Sequence, residues 1–254
     1  MNILFIPDTQ VKPGQDFEFL RCIGRMIVAE KPDVVVHAGD FSDVPSLSSY
    51  DRGKLSFEGR RYRADVEATH QAMEALLGPL REYNLRRLSS KHAIYRPRLV
   101  MTLGNHENRI NRAIQGEPFL AGAISTEDLR YSDYGWEVYP FLEVVVIEGV
   151  CFSHYFVSGT MGRPASSAQA MLNKRHMSMV AGHQQGRQMA TAFCADGRQI
   201  TAVIAGSCYE AQEEYLGPQG NKHWHGLLMM RNVKNGQFDE HFIPLSDVKE
   251  KYKK

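Results

Sequence analysis

The chain has 254 residues, 43% hydrophobic and 23% charged, with a formal net charge of +1. That length and apolar content suit one globular domain, or one domain carrying a sizeable insertion. No apolar run is long enough to span a bilayer, and the near-neutral total names no polyanionic partner, although a basic stripe can hide inside a balanced sum. Cys22, Cys151, Cys194 and Cys208 lie too far apart to form a paired metal knuckle or a small disulfide framework. Reduced thiols and a cytoplasmic location are therefore expected. The opening MNILFIPDTQ lacks the basic and long apolar regions of a signal peptide, and the tail KEKYKK reads as a solvated end.

NILFI is a short apolar run followed by PDTQ. From Asp16 to Glu30, Phe17, Leu20, Ile23 and Ile27 recur at helical spacing until Lys31-Pro32-Asp33 stops the helix. VVVHAGD is a β-branched strand entering a Gly-Asp turn, so the start is a βαβ unit with a buried parallel pair. Residues 44–96 break that rhythm. ADVEATHQAMEALLGPL is helical, and nine Lys or Arg side chains between Arg52 and Lys91 face six acids, an excess of three positive charges. The segment reads as a mildly basic helical insertion or lid; a solvated helix of mixed charge is the blander alternative.

RLVMTL is another strand, ending in GNHE. Beyond it, apolar runs flank Glu148-Gly149, Ala195-Asp196-Gly197 and Asn235-Gly236. Such turns accept positive φ and mark hairpins, so the second half is expected to be mostly antiparallel. The fold class is α/β, with two packed sheets and helices outside them.

Polar residues stand at the strand ends: Asp8, Asp40 in GDFSD, Asn105 and His106 in GNHE, His154 in FSHY, His183 in AGHQQG. Carboxyl ends of parallel strands share one edge, where ligands bind, and carboxylates, an amide and imidazoles gathered there suit a divalent metal. Each motif alone is weak, since Gly-Asp turns are common and a lone strand-end histidine is usually a packed one. The ordered series is the signal.

That series resembles the calcineurin-like metallophosphoesterase family, whose pattern is D-x-H, GD-x-x-D, GNH[ED], a lone His, then GH-x-H. Small phage and bacterial members are the most similar in size. The resemblance runs from Asp8 to Gln185. It implies a four-layer α/β/β/α sandwich holding two divalent ions ~3.5 Å apart. By position it implies that Asp40 bridges them, that Asn105, His154 and His183 complete the second site, and that Asp8 with positions 10 and 185 completes the first. Those two positions are histidine in the family and Gln10 and Gln185 here. Both departures fall on one ion and turn a mixed site into an all-oxygen one. Hard oxygen donors favour Mg²⁺, Mn²⁺ or Ca²⁺ there, while Zn²⁺ or Fe suits the histidine side; Mn²⁺ is expected overall. The opposing reading is that the two glutamines bond each other or water and leave a single ion.

The resemblance further implies phosphate-ester hydrolysis by in-line attack of a metal-bound hydroxide. His106 is then the general acid, Asp43 either its orienting carboxylate or a loop cap, and Arg109 a phosphate contact. The substrate is a phosphodiester or phosphomonoester, a nucleotide or nucleic-acid end among the diesters. A catalytically weak metal-binding scaffold of the same fold is the competing class. Among other candidates, His37 reads as core, His223-Trp224-His225 as pocket rim or surface aromatic packing, and Arg163 as part of a glycine-rich loop able to reach substrate.

Overall fold

The apolar run of β1 (Ile3–Ile6) has no polar face, because both of its faces are covered. Alternate side chains point opposite ways along a strand, so Ile3 and Phe5 enter one core cluster while Leu4 and Ile6 enter another. These observations come from a computed structural model that describes residues 1–209 and 223–253.

Helix α1 (Glu18–Glu30) carries the chain to β2 (Val34–His37), which pairs parallel with β1, Ile3 opposite Val34 and Ile6 opposite His37. Lys31 ends the helix in the left-handed region, φ 48°, its N–H on the Ile27 carbonyl. The 44–96 segment joins β2 to β3 (Arg98–Thr102), the next parallel strand. It holds α2 (Tyr62–Ser89), which runs through Pro79 and sinks Met73, Leu76 and Leu77 into the same cluster as Leu20, Ile23 and Ile27 of α1. Helix α3 (Asn108–Gly116) follows β3, and the three-residue β4 (Glu137–Tyr139) lies parallel beside β3, tied to it by Arg98 and Glu137 at 2.7 Å. Its brevity and partial exposure left no periodic signal in the sequence.

The second sheet contains β5 (Val145–Ile147), β6 (Val150–Phe152), β7 (Ser178–Ala181), β8 (Arg187–Phe193) and β9 (Gln199–Ala205), in the order β5-β6-β7-β9-β8. The three expected hairpins are present: β5–β6, β8–β9, and β10 (Gly226–Lys234) with β11 (Gln237–Pro244). The second half is mostly antiparallel as expected, in its β5–β6, β8–β9, β10–β11 and β1–β10 pairings, but its central strands depart from that pattern. β6, β7 and β9 run parallel, and the β10–β11 hairpin joins the first sheet, where β10 pairs antiparallel with β1. The short helix α4 (Ala168–Arg175) makes the β6-to-β7 crossover that parallel strands require, and eight residues were too few to announce it by periodicity.

Phe5 and Phe152 stack with centroids 6.0 Å apart between the two sheets, among Val34, Val36, Val100, Val180 and Val203. Truncating a fully buried phenylalanine there costs about 3–5 kcal/mol. On the far side of the second sheet, Met171 and Leu172 of α4 cover Met179 and Ile204. The tail KEKYKK is solvated at Glu250, Lys251 and Lys253 as expected, while Tyr252 is half-buried. Helix α5 (Leu245–Tyr252) buries Leu245 and Val248, and Tyr252 accepts from Arg25 and donates to Glu30. No helix among the described residues is long and apolar enough to cross a membrane.

Candidate metal centre

Parallel β1, β2 and β3 deliver their following loops to one edge, and parallel β6 and β7 do so in the second sheet. Several candidate residues pay for their placement with left-handed backbone: Gln10 (φ 46°), Asp40 (φ 48°), His183 (φ 67°) and Gln185 (φ 55°). Each such non-glycine conformation costs of order 1–2 kcal/mol and persists only where neighbours impose it.

The neighbours are specific. Asp40 Oδ1 accepts the His106 backbone N–H at 2.8 Å, and Asp40 N–H donates to Glu107 Oε2 at 2.9 Å. Buried Glu107 also accepts from Ser42 N–H (3.0 Å), Gly104 N–H (2.9 Å) and the Tyr131 hydroxyl (3.1 Å), so it knots the GDFSD and GNHE loops together. A Cβ on Gly104 would sit 2.1 Å from Asp40 Oδ1, and one on Gly182 would sit 2.3 Å from Asp8 Oδ1; both glycines are required by close approach. Asp8 accepts the His183 N–H on both carboxylate oxygens, at 3.1 Å each.

On the histidine side, Asp40, His154 and His183 bring one ligand atom each within 4.8 Å of one another. His154 is fully buried, and its Nδ1 lies 2.8 Å from the Ala38 carbonyl. A carbonyl only accepts, so Nδ1 carries a proton and Nε2 is the ring nitrogen turned into the site. That Nε2 lies 2.8 Å from Asn105 Oδ1 and 3.5 Å from Asp40 Oδ2. Orienting a ligating imidazole through its other nitrogen is the usual device of metal sites. Burial, then neighbouring His154, lowers the His183 pKa to about 4, which keeps that ring neutral near pH 7.

Charge points the same way. Burial raises Asp8 to about 7; His154 opposes this and Asp40 adds to it. Two buried carboxylates beside the neutral His183 ring leave negative charge that a divalent cation would offset. The donor set therefore fits a metal on the histidine side, and Asp8 extends it toward a second.

His106, Asp43 and Arg109 form one group. His106 Nδ1 lies 2.9 Å from Asp43 Oδ1, an ion-pair distance off the line of a good hydrogen bond. Arg109 Nη1 reaches the same oxygen at 3.0 Å, and its Nη2 lies 3.1 Å from His106 Nε2. Burial would raise Asp43, but His106 and Arg109 override it and hold the carboxyl at about 2. Burial would lower His106, and the Asp40 and Asp43 carboxylates outweigh that and raise it.

Gln10 and Gln185 line an open cleft of about 1010 Å³ beside His106, Asp43 and Arg109. Gln185 Oε1 accepts from the Tyr209 hydroxyl at 2.6 Å, and that hydroxyl lies 3.1 Å from His223 Nδ1. Tyr209 and Tyr131 carry no motif and only their tertiary neighbours single them out, whereas His223 stands in the His-Trp-His stretch read from the sequence as a candidate pocket rim. Of the other histidines, His37 is buried with its pKa lowered to about 3 by burial, its Nδ1 accepting from Gly39 N–H at 3.2 Å. Trp224 packs edge-on to Phe242 at 5.5 Å, so the His-Trp-His stretch divides between aromatic packing and the Tyr209 contact. Arg163 closes its own loop by accepting Ser158 N–H at 3.2 Å.

The family profile of calcineurin-like phosphoesterases matches residues 1–206, and the chain belongs to that family. Among curated proteins it is similar to the Gene 54 protein of Mycobacterium phage D29, 34% identical over 42% of this chain and 36% of that one. It is also similar to the Gene 54 protein of Mycobacterium phage L5, 29% identical over 55% of this chain and 51% of that one. The matches thus span a third to a half of the phage proteins' length. Yfce, a phosphoesterase from E. coli, aligns over 96% of this chain and 100% of its own at 12% identity, with a TM-score of 0.38, too loose to carry roles across. Within this phosphoesterase family, the Asp40, His154 and His183 cluster of this chain is able to hold an ion.

Proposed function

We propose that the protein hydrolyses phosphate esters at a two-ion centre built from Asp8, Gln10, Asp40, Asn105, His154, His183 and Gln185, with His106 donating a proton to the leaving oxygen. The observation that carries this reading is the convergence of Asp40, His154 and His183 within 4.8 Å, next to a cleft walled by His106 and Asp43. Bound divalent ions supply the nucleophile by lowering the pKa of water and offset charge on the phosphoryl oxygens. A water oxygen adds to phosphorus, the bond from phosphorus to the leaving oxygen breaks, and that oxygen must gain a proton. Asp43 holds His106 by Nδ1, so Nε2 is the nitrogen that delivers it. An N–H on Nε2 and the Arg109 Nη2–H group, 3.1 Å apart here, cannot both point at each other. Protonated His106 therefore turns Nη2 toward the cleft, where a phosphoryl oxygen accepts it.

For the substrate we favour a phosphodiester with a nucleotide or nucleic-acid leaving group. The support is the cleft lining: Lys12, Lys54, Arg60, Arg61 and Arg109 outnumber Asp43, Asp51, Glu58 and Asp65 by one, and Tyr50 stands 74% exposed among them. Mn²⁺ is the favoured metal, because the Asp8, Gln10 and Gln185 side offers oxygen donors and the other side imidazoles.

The test is turnover of bis-p-nitrophenyl and p-nitrophenyl phosphate with and without Mn²⁺. Hydrolysis that needs Mn²⁺, is stopped by EDTA and is faster for the diester supports the reading. Absence of turnover with Mn²⁺, Mg²⁺, Ca²⁺ and Zn²⁺ would instead favour a metal-binding scaffold, a reading that Gln10 and Gln185 motivate.

A further inference from the structure

A glutamine is harder to aim than a histidine. It has three side-chain torsions instead of two, and its terminal amide has one accepting and one donating end. Only the accepting end can bind a cation. A glutamine ligand therefore needs a neighbour that both anchors it and decides which end faces where.

Gln185 has such a neighbour. Its Oε1 accepts the hydroxyl of buried Tyr209 at 2.6 Å, and its backbone carbonyl accepts Trp224 N–H at 3.0 Å. The Tyr209 oxygen lies 3.1 Å from His223 Nδ1. A tyrosine hydroxyl has one hydrogen, so the polarity of this chain is coupled from end to end. When the O–H goes to Gln185 Oε1, His223 must donate from Nδ1 to the tyrosine oxygen. When Nδ1 has no proton it takes the O–H, and the tyrosine oxygen then meets the Gln185 amide with lone pairs, which suit the amide nitrogen and not Oε1. The second arrangement flips the amide and places NH₂ where Oε1 now stands.

The geometry points to Tyr209 and His223 as positioning residues for the glutamine side of the metal centre. The relay from His223 Nδ1–H through the Tyr209 hydroxyl to Gln185 Oε1 holds a carbonyl oxygen, with one lone pair left over, at the wall of the cleft that Gln10, His106 and Asp43 also line. A hydrogen bond to the remaining lone pair of a ligand is how outer-shell partners fix metal ligands, and their loss costs roughly 10–100-fold in metal affinity. The relay rests on the two-ion reading above.

Calorimetric titration of the metal-stripped full chain with Mn²⁺ tests it, with no activity readout. The wild type is expected to show a tight and a weak class of site. Tyr209→Phe removes the hydroxyl and weakens the weak class by about tenfold or more, leaving the tight class unmoved. His223→Asp only accepts, reverses the relay and does the same. His223→Asn restores a donor where Nδ1 stood and stays close to the wild type. A single class in the wild type overturns the two-ion reading and the relay with it. Two classes in the wild type that Tyr209→Phe leaves unchanged overturn the relay alone. So does a Tyr209→Phe variant that weakens both classes together, or a His223→Asn variant as weak as His223→Asp.

Discussion

The two sides of the metal centre are built by different means. On the histidine side, Asp40 and His154 are buried and the His154 ring is set by backbone, through the Ala38 carbonyl, within a cluster spanning 4.8 Å. On the glutamine side, Gln10 and Gln185 sit on left-handed turns at the cleft wall, and Gln185 is aimed by another side chain, Tyr209. Backbone carbonyls in a sheet edge are fixed by the fold itself, whereas a side-chain relay stays adjustable by single substitutions. On the proposed two-ion reading, the first side holds its ion tightly and the second holds a hard ion more weakly.

Asp40→Asn should have the largest effect, because Asp40 lies beside both His154 and the proposed acid His106 and is the proposed bridge between the two ions. Ion-dependent turnover should fall on the order of 10³-fold, with both classes of site weakened in a metal titration. Loss confined to one class would break the bridging assignment. His106→Ala comes next. It should lower turnover by about 10²-fold or more while leaving metal content unchanged, and the loss should grow as the leaving group becomes a poorer one. Equal losses across a leaving-group series would remove the acid role.

Asp43 sharpens the comparison through pH. Its folded-state pKa of about 2 lies below the ordinary 3.8, so its contribution is full above the ordinary value and lost as pH falls toward 2. The size is about 2 kcal/mol. Urea midpoints of wild type and Asp43→Asn should therefore differ by a constant amount from pH 7 to about 5 and converge below that. A gap that persists at pH 2.5 would mean that Asp43 acts as a loop cap without the ion pair. The smallest effect is expected from Gln185→His. Restoring an imidazole should raise Zn²⁺ affinity at the weak site by about tenfold relative to Mn²⁺, read by competition titration. An unchanged Zn²⁺/Mn²⁺ ratio would place Gln185 outside the coordination sphere.

Local chemistry settled much of this in advance. β-Branched runs ending in Gly-Asp, Gly-Asn and Gly-His turns mark strands and their ends, since a strand's period and a turn's positive φ depend on a few adjacent residues. Thus the βαβ start, the three hairpins and the ordered series Asp8, Asp40, Asn105, His106, His154 and His183 were all legible. The parallel β6–β7–β9 arrangement was not, because strand direction is set by a crossover helix of eight residues and by long-range pairing. Nor were Glu107 as the knot between two loops, Arg109 seated on Asp43 and His106, or Tyr209 and His223 behind Gln185. Those roles depend on hydrogen bonds between residues far apart in the chain, with 65 positions separating Ser42 from Glu107 and 24 separating Gln185 from Tyr209. Sequence alone determined which residue types stand at the strand ends. Only the tertiary structure decided which atoms of those residues face one another, because a donor's partner is chosen by distance in space and not by spacing along the chain.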